Sequence, residues 1–182
     1  MKKIDRSTSL GELAVIVSAA LEEHGITATL SGGGAVSIYT DNLYESCDLD
    51  FISRSSIESI TEAVRPLGFC KVDGAREFRH PDTDYYIEFP PGPLAFGETV
   101  VPDANTNVVD TRFGPIRIVT PTESVMDRLS AFIHWSDRQS FNQAALIGKC
   151  HELDWVALGV WAETEGADPA VVERLRSRIL GK

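Results

Sequence analysis

Residues 31–51, SGGGAVSIYTDNLYESCDLDF, place three glycines ahead of a short amphipathic run and then set two aspartates one residue apart inside an apolar stretch. Successive side chains along a strand point to opposite faces, so a strand over DLDFIS puts Asp48 and Asp50 on one face while Leu49 and Phe51 enter the core. Two carboxylates held side by side repel, and each raises the other's proton affinity. That cost is usually tolerated only where a cation shares the site. Hard oxygen donors of this kind suit Mg²⁺ or Mn²⁺. A third acid on a neighbouring strand would complete a two-ion site, and the run Ile87, Glu88, Phe89 makes Glu88 the candidate.

The glycines supply the other half of the chemistry. A turn without Cβ atoms leading into a helix lets backbone N–H groups approach phosphate oxygens, and a helix N-terminus favours negative charge. Phosphate bound there would lie beside the carboxylates. In-line nucleotidyl transfer needs that layout: one ion with its carboxylates activates the attacking hydroxyl, and a second neutralises the leaving pyrophosphate.

The surrounding sequence changes period twice. Leu10, Leu13, Ala14, Val17, Ala20 and Leu21 recur at a spacing of three and four, which predicts a helix over 9–24 with Ser9 as N-cap and Gly25 just past its end. ITATLS (26–31) reads as a short strand broken by Gly32 to Gly34, after which AVSIY starts a short helix. Beyond DLDFIS come a helix over SSIESITEAVRPL and a strand at FCKV. REFRHPDTDYYIEF (76–89) predicts a hairpin with its turn at Pro81 to Asp84, and short strands follow near ETVV, NVVD and PIRIV. From Thr120 the chain turns helical. TPTESVMDRLSAFIHW has a threonine cap, proline at the first helical position and Glu123 three residues after the cap; RQSFNQAALIGKC, LDWVALGVWAETEG and DPAVVERLRSRIL continue the pattern. The expected fold class is α+β: a mixed sheet with flanking helices over residues 1–119, then a C-terminal helical bundle over 120–182 that caps the cleft.

Composition narrows the function classes. A chain of 182 residues with 43% hydrophobic content builds one ordinary domain with at most a small helical appendage. No apolar run of about 18 residues is present, and the first residues are interrupted by Asp5, Arg6 and Glu12, unlike a signal peptide. The expectation is a cytoplasmic protein with no membrane partner. Cys47, Cys70 and Cys150 form neither a CxxC nor a Cys/His cluster, so they are expected as reduced, mostly buried thiols. A formal net charge of −10 disfavours generic nucleic-acid binding, although Arg112, Arg117, Arg128 and Arg138 could still converge on one anion. His134 and Trp135 are expected to pack at a helix end, His80 to belong to the hairpin turn, and Trp155 and Trp161 to be core.

LSGGGAVSIY, CDLDF and YIEF, in that order, resemble the nucleotidyltransferase superfamily of the DNA polymerase beta type, whose pattern is a Gly-Gly or Gly-Ser turn, an Asp-x-Asp pair and a later strand acid. The Gly-Gly-x-Ala form and the TPTESVMDRL helix look most like the minimal nucleotidyltransferases and the AbiEii toxin group, over roughly residues 26–147. The resemblance implies that Ser31, Gly32 and Gly33 bind nucleotide, that Asp48 and Asp50 are paired metal ligands, and that Glu88 is the third acid, near the attacking hydroxyl. It implies Mg²⁺ or Mn²⁺ as cofactor, an NTP such as ATP as donor, and a small molecule, a protein or a tRNA as acceptor. Two departures stand out. Toxin-group relatives carry Arg-x-Thr-x-Asp entering the acid pair, where this chain has Tyr44, Ser46 and Asp48. The later helical motif, with its lysine and Arg-Asp, reads here as Arg128, Asp137 and Arg138, and arginine replaces lysine as a phosphate contact but not as a proton donor. Three readings follow: a metal-dependent nucleotidyltransferase, a degenerate domain that binds without chemistry, and a toxin component neutralised by an antitoxin.

Overall fold

The computed structural model describes residues 3–102, 108–168 and 170–181. Helix α1 (Leu10–Glu23) is capped by Ser9, whose side chain and that of Glu12 satisfy each other's backbone N–H, and it buries Leu10, Leu13, Ala14, Val17 and Leu21. Strand β1 (Ala28–Ser31) passes directly into α2 (Gly32–Tyr39). The glycines expected to form a break before the helix are instead its first turn. Gly32, at φ +64°, redirects the chain from strand to helix within one residue. Strand β2 (Asp48–Ser53) follows, its residues alternately half-buried and buried as the pattern predicts.

Helix α3 (Ile57–Val64), capped by Ser56, tightens into a 3₁₀ turn at Arg65–Leu67, where Pro66 removes a backbone donor. The expected strand at FCKV is β3 (Cys70–Lys71), and the expected hairpin is β4 (Glu77–Arg79) with β5 (Tyr86–Glu88). Two ribbons come next, β6 (Ala95–Phe96) with β7 (Thr99–Val100) and β8 (Val108–Thr111) with β9 (Gly114–Arg117). The helical segment comprises α4 (Pro121–Trp135), α5 (Arg138–Cys150), α6 (Trp155–Thr164) and α7 (Ala170–Leu180); the Thr120 and Glu123 capping box opens α4 as predicted. Asn107 and Pro169, expected in a strand and a helix, lie outside the described residues.

The sheet runs β1-β2-β5-β4-β3, with β2 and β5 parallel and the other neighbours antiparallel. Its buried face carries Leu30, Leu49, Phe51, Phe78, Ile87 and Phe89, all fully excluded from solvent. Phe89 stacks on Phe51 at 6.0 Å between ring centroids and meets Phe78 edge-on at 5.5 Å, so three aromatic rings hold β2, β5 and β4 together from beneath. One apolar cluster runs from Ile4 through Leu175 and joins residues on both sides of Thr120. Helices α4 and α5 pack on each other and on α2, which brings the middle of α4 to the start of α2.

Several side chains sit differently from expectation. All three cysteines are exposed, because Cys47 precedes β2, Cys70 lies on the edge strand β3 and Cys150 ends α5. Trp135, the last residue of α4, points outward at 77% exposure instead of packing. Trp161 is core as expected, its Nε1 donating to the Phe96 carbonyl at 3.0 Å, whereas Trp155 is half-buried beneath the Arg176 guanidinium. Among the described residues no helix is long and apolar enough to cross a membrane.

Phe89→Ala removes the ring shared by both aromatic contacts and is expected to cost about 3–5 kcal/mol of stability, read as a lower midpoint in urea unfolding. Trp135→Ala, outside any packed surface, is expected to change that midpoint by less than about 0.5 kcal/mol equivalent.

Candidate active site

Parallel pairing of β2 with β5 sets Asp48 against Tyr86 and Asp50 against Glu88. The neighbouring registers extend a single row, Ser31, Asp50, Glu88 and Glu77, across four strands on the face opposite the aromatic rings. Carboxylate oxygens of Asp48, Asp50 and Glu88 all lie within 4.8 Å of one another, and each residue is half-buried. The Ser46 hydroxyl donates to Asp48 Oδ1 and fixes that carboxylate, while the Ser46 backbone N–H is itself held by Ser37 Oγ at 2.8 Å. Beyond the triad, Glu77 pairs with Arg79, whose guanidinium lies 4.8 Å over the Tyr86 ring.

The glycine turn abuts these acids. A Cβ on Gly32 would run into Asp50 Oδ2, and one on Gly34 would stand 3.0 Å from the Asp48 carbonyl oxygen, so the start of α2 presses against β2 where the aspartates project. Ser31 occupies the N-cap position, but its side chain makes no capping hydrogen bond. Its hydroxyl donates instead to Asp127 Oδ2 at 3.4 Å, and the same oxygen accepts from the Gly32 backbone N–H at 3.3 Å. Arg128 closes on that oxygen through Nη2 at 2.6 Å and Nε at 3.1 Å, and its Nη1 reaches Gln143 Oε1 on α5 at 3.4 Å.

Charge crowding is strong. Burial, then the charges of Asp48 and Glu88, push the Asp50 carboxyl up to about 7; Asp127 adds to this and Arg128 opposes it. Glu88 is raised too, by burial and by Asp48 and Glu77, with Arg79 opposing. Such a cluster fits a divalent cation. Mg²⁺ binds oxygen at about 2.1 Å, so two ligands of one ion stand up to about 4.2 Å apart, and two-ion sites space their metals at about 3.5–4 Å. Three hard, anionic donors within 4.8 Å of one another are close to the spacing that ligands of one such ion take.

The structure therefore brings Ser31, Gly32, Asp48, Asp50, Glu88 and Arg128 to one place, with Gly33 next in the turn beside Ser46 and Tyr44. Arg138, the first residue of α5, is exposed and lines a surface hollow with Phe132, Ser136, Phe141, Asn142 and Arg174. The four arginines do not converge on one point: Arg112 pairs with Asp41 beyond the far end of α2, and Arg117 with Glu22 on α1 at 2.6 Å. Asp127 is the residue that sequence reasoning missed. An acid beside an arginine on an amphipathic helix carries no signal of its own, and its role follows from α4 packing on α2.

Because the folded state holds a proton on Asp50 up to about pH 7 while the unfolded chain releases it near 3.8, the folded state loses stability as pH rises across that window. The loss amounts to up to about 4 kcal/mol. Thermal melts in chelator are expected to show Asp50→Asn more stable than the parent at pH 8 and about equal to it at pH 4; a difference between variant and parent that stays constant between those values would contradict the assignment.

No family model matches the chain, and no curated protein matches it. Solved structures do. The solution structure of the antibiotic-resistance factor ANT(2'')-Ia matches with a TM-score of 0.53 at 14% identity, covering 93% of this chain and 91% of that one. The crystal structure of ANT(2'')-Ia in complex with adenylyl-2''-tobramycin gives 0.51 at 16% identity, covering 92% and 97%. An antigenic nucleotidyltransferase-like protein from Paracoccidioides brasiliensis gives 0.56 at 14% identity, covering 98% and 99%. The likeness spans nearly the whole of each chain, and this protein shares the α+β fold of these solved structures.

Proposed function

We propose that the protein transfers a nucleoside monophosphate from an NTP, ATP or another, to a hydroxyl of a small-molecule acceptor with the help of Mg²⁺ or Mn²⁺. One observation carries this reading: three carboxylates on two parallel strands converge beside the N-terminus of a helix that opens with Gly32 and Gly33. The adenylylated small molecule in the ANT(2'')-Ia complex supports a small-molecule acceptor, and the net charge of −10 weighs against a polyanion such as tRNA.

The roles follow from position. Asp48, Asp50 and Glu88 would hold the ions, with Ser46 fixing the Asp48 carboxylate. Bound divalent ions would supply neutralisation of the triphosphate and lower the pKa of the acceptor hydroxyl. Ser31, Gly32 and Gly33 orient the triphosphate, Arg128 pairs with it, and Arg138, at the start of α5 next to Asp137, whose carboxyl feels the Arg128 charge, is an outer cation. Glu88, or Asp50 beside it, takes the hydroxyl proton as the acceptor oxygen bonds to the α-phosphorus and the bond to pyrophosphate breaks.

Calorimetric titration of each NTP with Mg²⁺, and then with excess chelator, tests the reading. The parent is expected to bind at least one NTP only with metal, and Asp48→Asn with Asp50→Asn to bind none; absence of metal-dependent binding in the parent overturns the proposal. Glu88→Gln is expected to lower any transfer by about 10²–10⁴, since a proton acceptor and one ligand of the ions are lost together, and to weaken metal-dependent NTP binding less than the Asp48→Asn/Asp50→Asn pair does.

A second reading, binding without transfer, is favoured by the position of Asp127 on the Gly32 amide. Pyrophosphate release with any acceptor removes it. A toxin role with a partner antitoxin rests on the sequence resemblance alone; it requires that expression of the parent arrest growth and that the Asp48→Asn/Asp50→Asn variant not do so.

A further inference from the structure

We infer that the Asp127 carboxylate is a built-in occupant of the phosphate turn, which an incoming triphosphate displaces while taking over its partner Arg128; this rests on the nucleotide reading above. The groups Asp127 engages, the Gly32 N–H and the Ser31 hydroxyl, are the donors that reading assigns to phosphate. To a donor at the start of a helix, a carboxylate oxygen and a phosphate oxygen are equivalent: each is an anionic acceptor favoured by the positive end of the dipole. The turn therefore holds an anion before any nucleotide arrives.

The distances say how firmly. At 3.3 and 3.4 Å the contacts to Gly32 and Ser31 are at the long end of hydrogen bonding, whereas the 2.6 Å approach of Arg128 Nη2 is short and charge-assisted. Asp127 is tethered by its helix neighbour and rests loosely on the turn. Nothing in α4 itself calls for the acid, because the N-terminus of that helix is already satisfied by Thr120 and Glu123. Its position also carries a penalty: the Asp127 charge adds to the repulsion that raises Asp50. A rotation of one side chain, with α4 in place, releases the Gly32 amide and leaves the guanidinium of Arg128 facing the same space.

Two consequences follow for ligand choice. An anion entering the turn must outcompete a carboxylate already there, and a metal-bound polyphosphate, with several oxygens, does so better than a single phosphate. Arg128 changes partner in the same step, so the cation is spent on Asp127 in the empty cleft and on phosphate in the filled one. The Asp127–Arg128 pair thus acts as an autoinhibitory latch on the phosphate turn.

The test is calorimetric titration of Mg²⁺-pyrophosphate and of a Mg²⁺-bound ATP analogue with a non-cleavable α–β bridge into the parent and Asp127→Asn. Removing the resident anion is expected to tighten both ligands by a similar factor, about tenfold. Equal or weaker binding in Asp127→Asn, with metal-dependent binding retained in the parent, overturns the latch and leaves the nucleotide reading standing. Failure of both ligands to bind either protein overturns both. Should Asp127→Asn fold poorly by circular dichroism, the parent supplies the readout. On addition of Mg²⁺-pyrophosphate the ¹⁵N–¹H signals of the Gly32 amide and the Arg128 Nε–H are expected to move together, and an unmoved Arg128 signal overturns the inference.

Discussion

The parallel pairing of β2 with β5 is the constraint on which the rest of the molecule depends. It fixes Asp50 opposite Glu88, and the pleat then fixes everything else: Asp48, Asp50 and Glu88 on one face, Leu49, Phe51, Ile87 and Phe89 on the other. A slip of one residue would send the carboxylates into the aromatic layer and the rings into the cleft. Burying the rings of Phe51, Phe78 and Phe89 is strongly favourable, and that gain holds in register a face whose own charges oppose one another. The core specifies the site, because the residues between the acids are the residues of the core.

That coupling explains why so much was legible in the sequence. DLDFIS and YYIEF interleave acids with large apolar residues at period two, so these two short stretches yield both strands, their buried face and all three metal-ligand candidates. The capping signals at Ser9 and Thr120 mark helix starts through local hydrogen bonds that need no tertiary context. The glycine turn was legible in its place in the chain but not in its geometry. Three glycines read as a break, whereas the structure uses them as the first turn of α2 because β2 presses so closely that Gly32 has no space for a Cβ beside Asp50.

What escaped the sequence depends on packing between distant segments. Asp127 lies 95 residues from Gly32 in the chain, and its place at the turn exists only because α4 docks on α2. The exposed cysteines and Trp135 escaped for a related reason. Apolar or thiol character predicts burial on average, but strand edges and helix ends decide individual cases, and those limits were known only to within a residue or two. The convergence imagined for Arg112, Arg117, Arg128 and Arg138 likewise failed on topology, since α2 alone separates the Gly32 turn from the Asp41–Arg112 pair by about 12 Å.

The charges in the cleft form an unbalanced set, and the imbalance is informative. Asp48, Asp50, Glu88 and Asp127 bring four carboxylates to the start of α2, and the nearby guanidinium, Arg128, is engaged by Asp127. Arg128 lowers the proton affinity of Asp50, yet burial and the neighbouring acids outweigh it. A structural ion-pair network would place a cation among the triad; here Arg79 is paired with Glu77 at the outer edge, Arg128 stands on the glycine side, where the proposed polyphosphate would lie, and the triad faces the space between. Positive charge from solution is therefore the natural complement to the three strand acids, and negative charge the complement to Arg128 and the Gly32 amide. A metal–polyphosphate complex carries both in the order in which the cleft presents them.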